Sequence, residues 1–308
     1  MTDKYSALLT LAEEYNREHE DPIEIKQNEP MSRHTSFKIG GNADLYIIPH
    51  DMDALIETVR IVRKTETKRY FLGNATNVLF DDAGFRGAVV SLGNICAIKV
   101  IENRIVTEAG ASLNLVCKTA RDKELSGLEF AYGIPGSIGG AVFMNAGAYG
   151  GEMSQVVAQS TYFSLDDMTV HTIPLTAHEY GYRESVYRHN NWLVLSAVLE
   201  LQKGEYDKIN AAMNDYMSRR IDKQPLEYPS AGSVFKRYPG RYTGQMIEEC
   251  GLKGYSIGGA QVSEKHAGFI VNKGGATSAD VLALIEHIKN EVYKKFDCRI
   301  ECEVIHVK

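Results

Sequence analysis

The stretch from Gly127 to Gly151 constrains the fold of this chain more than any other. Eight of its 25 residues are glycine, against 27 glycines in all 308 residues. Glycine loses the most backbone freedom on folding, so such a cluster needs positive φ angles or another group lying close to the backbone. Apolar residues run through the stretch and Glu129 is its one charge, which is not the composition of a flexible linker. Two interpretations stay open: tight turns in a glycine-rich core, or backbone N–H groups that hold a flat ring or a pyrophosphate.

Composition and charge argue against several classes of protein. The chain is 44% hydrophobic and 24% charged, as in common globular proteins, and is long enough for two or three domains. No apolar run reaches the ~20 residues of a membrane span. The polar N-terminal stretch lacks an apolar signal core, so we expect a cytoplasmic protein with no membrane contact. The net charge of −6 gives no sign of nucleic-acid binding, and no obligatory protein partner is indicated.

The five cysteines are odd in number and lack C-x-x-C spacing. Cys298 and Cys302 are four residues apart and would form a metal pair only on a helix, whereas the sequence around them favours a strand. We therefore expect five reduced, packing thiols and no bound metal.

The apolar periodicities predict interspersed helices and strands, of the α/β or α+β class. A helix is predicted over residues 1–20, followed by a polar connection. The last third is predicted to hold a strand at Ser233–Lys236, a helix capped by Thr277 and a strand at Arg299–Val307. The end of a helix near Pro225 is the candidate domain boundary.

The usual nucleotide-binding motifs are absent from the sequence. No G-x-G-x-x-G opens a helix after a strand, and no G-x-x-x-x-G-K-[ST] occurs. Two loops of small residues remain, Gly73–Asn77 at a strand end and Ile134–Gly140 within the glycine-rich stretch. Their backbone N–H groups could converge on a diphosphate, and the side chains of Thr76 and Asn77 could add donors.

A longer set of motifs resembles one known family. The run at 133–150, G-I-P-G-S-I-G-G-A-x-x-M-N-A-G-A-Y-G, is similar to that of the UDP-N-acetylenolpyruvoylglucosamine reductases, the MurB family. Further similar runs are R-H-T at 33–35, Y-R-E-S at 182–185, A-G-S-V-F-K at 231–236, I-G-G-A at 257–260, and the segment around Glu303. Since these runs extend in order from residue 33 to 303, the resemblance covers nearly the whole chain.

The resemblance implies an α+β fold with a two-lobed FAD-binding domain of the vanillyl-alcohol-oxidase (PCMH) type and a smaller α+β substrate-binding domain. The expected domains are 1–68 with 299–308 as one FAD-binding lobe, 69–222 as the second lobe, and 223–298 as the substrate-binding domain. The implied chemistry is reduction of UDP-N-acetylglucosamine enolpyruvate to UDP-N-acetylmuramate for peptidoglycan synthesis, with non-covalent FAD and with NADPH as the reductant.

The resemblance also implies which residues bind the cofactor. The expected FAD-binding residues are Gly73, Asn74, Ala75, Thr76, Asn77, Ile134, Pro135, Gly136, Ser137, Gly139, Gly140, Asn145, Gly147 and Ala148. Ala75 stands where the family usually has glycine. Because alanine tolerates positive φ poorly, we expect a slightly different backbone path at this loop.

Reduction of an enolpyruvyl double bond needs a hydride at one carbon, a proton at its neighbour, and stabilisation of the intervening enolate. The resemblance implies that Ser233 is the proton donor, although a serine after a turn commonly caps that turn. The permanent charge of Arg183 suits the substrate carboxylate; the alternative is a surface arginine. Strand alternation places Glu303 on one face with Ile305 and Val307, where desolvation would raise its pKa, unless this edge is exposed.

The substrate diphosphate requires cations. Lys223 and Arg220 match basic positions of the family after a helix, where such residues can also serve only to cap the helix C-terminus. Arg237 stands where asparagine is common, and Ile305 where arginine is common, so Arg237 is a candidate to replace the lost positive charge. The short connection at 188–192 resembles the second type of the family, which lacks a loop with a substrate-clamping tyrosine.

Two other functions stay open. A flavin oxidase of the same fold, acting on an alcohol or hydroxy acid, would often tether its flavin through histidine. The glycine-rich stretch has no histidine, and His34 is the nearest alternative. A non-catalytic nucleotide-binding or assembly protein would leave Ser233, Arg183 and Glu303 without a role.

Overall fold

A computed structural model of the chain describes residues 4–19 and 23–308. The α-helices in these ranges are α1 (Ser6–Glu18), α2 (Met52–Lys64), α3 (Leu113–Asp122), α4 (Ile138–Met144), α5 (Tyr206–Lys223), α6 (Thr243–Glu249) and α7 (Ser278–Phe296). The strands are β1 (Glu24–Pro30), β2 (Asn42–Ile48), β3 (Arg69–Leu72), β4 (Val78–Phe80), β5 (Phe85–Ser91), β6 (Ile98–Ile101), β7 (Arg104–Glu108), β8 (Leu125–Ser126), β9 (Gly147–Ala148), β10 (Gly151–Glu152), β11 (Val157–Ser164), β12 (Val170–Pro174), β13 (Trp192–Glu200), β14 (Gln202–Lys203), β15 (Ser230–Ser233), β16 (Ser256–Ile257), β17 (Ala260–Val262), β18 (Phe269–Asn272) and β19 (Ile305–Val307).

The chain divides into two compact units. Unit 1 consists of Met1–Gln27, Leu45–Asn74 and Gly87–Ser218, and unit 2 consists of Asn28–Asp44, Ala75–Arg86 and Arg219–Lys308. The three-part domain division predicted from the sequence stays a prediction beside these two units.

Unit 1 contains most of two sheets and the helices that cover them. One sheet has the order β1-β2-β5-β3, with β3 parallel to β5, and the other is antiparallel with the order β12-β11-β13-β7-β6. Its core is continuous from α2 through the sheets to α3 and α4, and includes the fully buried Leu55, Val90, Val116, Val142 and Leu199. Burial of such aliphatic side chains stabilises the unit by roughly 1.5–3 kcal/mol each.

The glycine-rich stretch contains a short helix, α4, which the sequence pattern did not predict. Ser137 caps it by accepting a hydrogen bond from the Gly140 N–H at 3.4 Å, and Asn145 ends it in the left-handed conformation. A Cβ atom on Gly139 would lie 2.8 Å from the Cβ of Ala109, so glycine is needed for close packing. Glycine has low helix propensity, and this tertiary packing overrides it.

Unit 2 has its own sheet and core. The strands β15-β18-β17-β16 form an antiparallel sheet, and β19 pairs in parallel with β4. The predicted cap of α7 at Thr277 is confirmed, and it is part of a capping box in which Thr277 and Asp280 each accept from the other's backbone N–H. Phe37 and Leu79, from earlier parts of the chain, pack in the same core as Ile285 of α7.

Several element boundaries differ from the sequence predictions. The predicted strand at Ser233–Lys236 is wrong, because β15 ends at Ser233 and only Phe235 forms an isolated bridge beyond it. The predicted strand at Arg299–Val307 shortens to β19. The predicted polar connection before Pro30 contains β1, whose largely exposed side chains hide the strand pattern. The predicted N-terminal helix is α1, and residues 1–3 and 20 of that prediction lie outside the described residues.

Among residues 4–19 and 23–308, none of the helices combines the length and apolar character that crossing a bilayer requires. In the same ranges, no group of three or more histidine, cysteine, aspartate or glutamate residues could hold a metal ion.

Candidate active site

The two loops predicted to bind the cofactor meet within unit 1. A Cβ atom on Gly73 would lie 2.3 Å from the Oγ of Ser137, so the backbone of one loop lies directly against the other. Within residues 4–19 and 23–308, the N–H groups of Gly136 and Ser137 have no hydrogen-bond acceptor. Small residues and available backbone donors fit a diphosphate.

Backbone hydrogen bonds to the neighbouring segment hold the rest of the Ile134–Gly140 loop in place. The Gly136 carbonyl accepts from the Leu113 N–H at 3.0 Å, and the Ile138 N–H donates to the Ala111 carbonyl at 2.9 Å. Ile134 is half-buried, and Pro135 and Gly140 are exposed. The loop therefore has a fixed inner edge and an accessible outer one.

After Asn74, which is exposed, the other predicted loop continues in unit 2. Ala75 has φ of +50°, the left-handed conformation that glycine favours. Its carbonyl accepts from the N–H of Ser36 at 3.2 Å, and Thr76 and Asn77 are half-buried. Alanine therefore bears backbone strain at this point.

Replacing Ala75 with glycine is expected to stabilise the protein by about 0.5–1 kcal/mol. A left-handed alanine costs roughly 1–2 kcal/mol, and the extra freedom of an unfolded glycine returns about 0.4–1 kcal/mol. The shift is measured as the midpoint of urea unfolding. Ala83→Gly, in the same unit at an exposed alanine without positive φ, is the control and should lower stability. Equal losses from both variants would contradict the assigned strain.

Unit 2 brings Ser233 and Glu303 together. The Glu303 N–H donates to the carbonyl of Val234, the residue after Ser233, at 2.8 Å. The Asn77 side-chain amide donates to the Glu303 carbonyl at 3.2 Å. Glu303 is half-buried and precedes β19, so the predicted place on a strand face is wrong, and its raised pKa stays a prediction.

The Ser233 hydroxyl lies beside a histidine that the sequence reasoning missed. Its Oγ donates to the Phe235 carbonyl at 3.3 Å, a long bond that a substrate could replace. A Cβ atom on Gly268 would lie 3.4 Å from this Oγ and 2.9 Å from the Cε1 of His266. The Gly268 N–H donates to the Nδ1 of His266 at 3.0 Å, and burial lowers the pKa of His266. The sequence feature that could have indicated this residue is a histidine just before β18.

Arg183 lies in unit 1, at the tip of a tight turn. The backbones of Gly181 and Glu184 exchange hydrogen bonds of 3.1 and 3.2 Å, with Tyr182 and Arg183 between them. Arg183 has φ of +57°, a turn conformation usually reserved for glycine or asparagine. Its Nη2 donates to the Gly147 carbonyl at 3.1 Å. Strained backbone of this kind is concentrated at functional sites, which supports a role for this arginine.

Asn145 braces the same turn. Its side chain is fully buried, donates to the Gly181 carbonyl at 2.9 Å and accepts from the Ser154 N–H at 2.9 Å. The next predicted residues, Gly147 and Ala148, form β9, which pairs with β10. Contact of these three residues with FAD stays a prediction.

The three predicted substrate cations lie in unit 2, with Ser233 and Glu303. Arg220 is buried in α5 and its Nη1 donates to the Gln224 side chain at 3.1 Å. Lys223, the last residue of α5, is exposed. Arg237 is also exposed, with its guanidinium carbon 5.4 Å from the ring centre of Tyr242.

Two protein families match separate parts of the chain. Residues 43–172 match the FAD binding domain family, and residues 224–307 match the family described as UDP-N-acetylenolpyruvoylglucosamine reductase, C-terminal domain. The chain is 47% identical over 277 residues to the UDP-N-acetylenolpyruvoylglucosamine reductase of Caldanaerobacter subterraneus subsp. tengcongensis, covering 90% of this chain and 91% of that one. It is 45% identical over 280 residues to UDP-N-acetylenolpyruvoylglucosamine reductase 2 of Bacillus anthracis, covering 91% and 92%.

The solved structures include a similar protein. The crystal structure of UDP-N-acetylenolpyruvylglucosamine reductase from Thermus caldophilus superposes with a TM-score of 0.78 at 30% identity, covering 94% of this chain and 100% of that one. These matches confirm the expected α+β class with an FAD-binding domain. With 47% identity over nine-tenths of its length, the chain belongs to the UDP-N-acetylenolpyruvoylglucosamine reductase family.

Proposed function

We propose that this chain is an FAD-containing, NADPH-dependent oxidoreductase that reduces UDP-N-acetylglucosamine enolpyruvate to UDP-N-acetylmuramate, a step of peptidoglycan precursor synthesis. The observation that carries this proposal is the 47% identity to a reductase of that name over 90% of the chain. The contacts within each unit are consistent with the required chemistry.

FAD would be held by backbone and small side chains. Gly73, Gly136 and Ser137 are the proposed residues for its diphosphate, and Thr76 and Asn77 are the proposed side-chain donors. When bound, FAD supplies the hydride for the enolpyruvyl double bond. The proton for the neighbouring carbon would come from a side chain of the protein.

Ser233 would give its hydroxyl proton to the carbon next to the one that receives hydride. A hydroxyl is a weak acid, so the transfer becomes favourable only as negative charge develops on the enolate. The guanidinium of Arg183 would bind the substrate carboxylate, into which that charge spreads. Glu303 would act with Arg183 to polarise the enolpyruvyl carboxylate.

Lys223, Arg220 and Arg237 are the proposed cations for the substrate diphosphate. Because the protein is net negative, such an anion needs local positive charge. The partners are therefore small molecules, a UDP-sugar and a nicotinamide nucleotide. We place this reaction in the cytoplasm, where five unpaired thiols would stay reduced.

The test is direct. Purified protein should carry flavin absorbance and should oxidise NADPH in a manner that depends on UDP-N-acetylglucosamine enolpyruvate. Protein that takes up no flavin, or that binds flavin and substrate without turnover, contradicts the proposal and favours a non-catalytic binding protein. Flavin that remains with acid-precipitated protein would instead favour a tethered oxidase, with His34 as the candidate link; its Nε2 now lies 2.9 Å from Glu29.

A further inference from the structure

A buried chain of hydrogen bonds lies in unit 1, in the same segment as the Arg183 turn. The Nε2 of His178 lies 2.6 Å from the Oγ of Ser160, and that Oγ lies 2.6 Å from the hydroxyl of Tyr187. These three side chains are 0%, 1% and 2% exposed. Polar groups buried so completely are costly unless each one is paired.

The surrounding carbonyls determine where the protons lie. The Nδ1 of His178 lies 2.9 Å from the Pro174 carbonyl and 3.2 Å from the Leu175 carbonyl, which can only accept. Nδ1 therefore carries the hydrogen of the neutral ring, and Nε2 accepts from the Ser160 hydroxyl. The Ser160 oxygen in turn accepts from Tyr187. The hydrogen bonds therefore run in one direction, from Tyr187 through Ser160 to His178, and they require a neutral imidazole.

Uncharged groups surround this imidazole. The Tyr180 ring stacks on it at 4.9 Å between centroids, the Tyr187 ring meets it edge-on at 5.9 Å, and Tyr162 packs on Tyr187. Burial lowers the pKa of His178 and raises the pKa of Tyr187 to about 12. In the described part of the chain, no carboxylate or cation contributes to the lowered pKa of His178.

The hydrogen-bond chain holds the base of the hairpin that carries Arg183. The His178 carbonyl accepts from the Val186 N–H at 2.8 Å, which closes the hairpin at its base. Next to this bond, the Ser185 hydroxyl donates to the Phe143 carbonyl of α4 at 2.6 Å. The strained Arg183 turn is the other end of the hairpin, so a rigid base is what keeps its conformation in place.

We propose that His178 is a positioning residue for Arg183, and that its neutral imidazole, joined through Ser160 to Tyr187, fixes the hairpin whose tip presents this arginine. The inference rests on the proposed function, because it needs Arg183 to act on the enolpyruvyl carboxylate. Protonation of His178 removes the acceptor for the Ser160 hydroxyl and releases the base of the hairpin.

The kinetic test is a double-mutant cycle. His178→Leu is expected to lower kcat/KM for the enolpyruvyl substrate about tenfold, with flavin content and the rate of flavin reduction by NADPH unchanged. In an Arg183→Lys background the same change should have little further effect, because both act through one group. Additive losses would overturn the inference. A wild-type protein without substrate-dependent turnover would instead overturn the proposed function.

Two less disruptive substitutions test the same inference if His178→Leu does not fold. Tyr187→Phe removes the hydroxyl at the end of this hydrogen-bond chain. It should show the same non-additivity with Arg183→Lys on a smaller scale. His178→Gln keeps an acceptor near the Nε2 position and should retain most of the activity. If His178→Gln is as impaired as His178→Leu or Tyr187→Phe, the acceptor role is wrong.

The pH dependence of stability gives an independent readout. Because the folded pKa of His178 is lowered, the unfolded chain takes up this proton first as pH falls below about 6.5. The contribution of His178 is complete above that pH and is lost progressively below it. His178→Gln should show a smaller fall of the urea midpoint between about pH 7 and pH 5, with the residual fall including that from His266, whose pKa is also lowered. Identical pH profiles for the two proteins would contradict a buried neutral His178.

Discussion

Replacing Ser233 with alanine will leave flavin reduction by NADPH close to the wild-type rate and will slow reoxidation of the reduced flavin by the enolpyruvyl substrate by on the order of 10³-fold. The reason is that only the second half-reaction needs a proton on carbon, and a positioned acid contributes about 10²- to 10⁴-fold. Within residues 4–19 and 23–308, the half-buried hydroxyl donates one long hydrogen bond, to the Phe235 carbonyl, so its removal should disturb the fold little. Anaerobic stopped-flow absorbance follows each half-reaction separately.

The matched control for this experiment is Ser256→Ala. Ser256 is an exposed serine of β16 in the same unit, and its hydroxyl donates to the Gly254 carbonyl at 3.3 Å and accepts from the Gln261 side-chain amide at 3.0 Å. Both half-reactions should keep their wild-type rates in this variant. If Ser233→Ala still reoxidises at the wild-type rate, the proton comes from another group, and His266 beside Ser233 becomes the first alternative.

Replacing Gly73 with alanine will weaken flavin binding by about ten- to a hundredfold. The new methyl group would lie 2.3 Å from the Oγ of Ser137, so either the Ser137 hydroxyl must leave its capping position or one of the two cofactor loops must move. Overpacking of this kind costs roughly 1–3 kcal/mol, which corresponds to that loss in affinity. Flavin content after dialysis and titration of the apoprotein with FAD both measure the effect.

The same contact provides a compensating change. Ser137→Ala removes the clashing oxygen and leaves a Cβ–Cβ separation of 3.4 Å at Gly73, which is ordinary contact. The double variant Gly73→Ala with Ser137→Ala should therefore recover most of the flavin affinity. Ser137→Ala alone keeps the backbone N–H proposed for the diphosphate and loses a 3.4 Å helix cap, so it should bind flavin nearly normally. Failure of the double variant to recover would show that Gly73 is required for a reason other than this contact.

Sequence patterns predicted the parts of the fold that depend on local physics. Thr277 was identified as a helix start, and its side chain accepts the expected backbone N–H bond. The approach of Glu303 to Ser233 depends on pairing between segments far apart in the chain, which periodicity does not encode. The left-handed turn at Arg183 was likewise hidden, because arginine is not a residue that signals such a turn.

The miss at α4 has a related cause. Glycine-rich sequence predicts turns, and the helix forms because Ser137 caps it and because Gly139 permits close contact with Ala109. The hydrogen-bond chain of His178, Ser160 and Tyr187 was not predicted, since these three residues come from different elements. The family resemblance supplied the candidate functional residues that these local signals could not.

The parallel pairing of β19 with β4 affects how the protein is made. Ile305 pairs with Val78, so a ribosome must synthesise more than two hundred intervening residues before the β4 edge finds its partner. Closing so long a loop is entropically slow, and an unpaired strand edge can pair with other nascent chains. Completion of unit 2 is thus expected to be post-translational, and chains that lose their last few residues should aggregate rather than yield a stable, truncated enzyme.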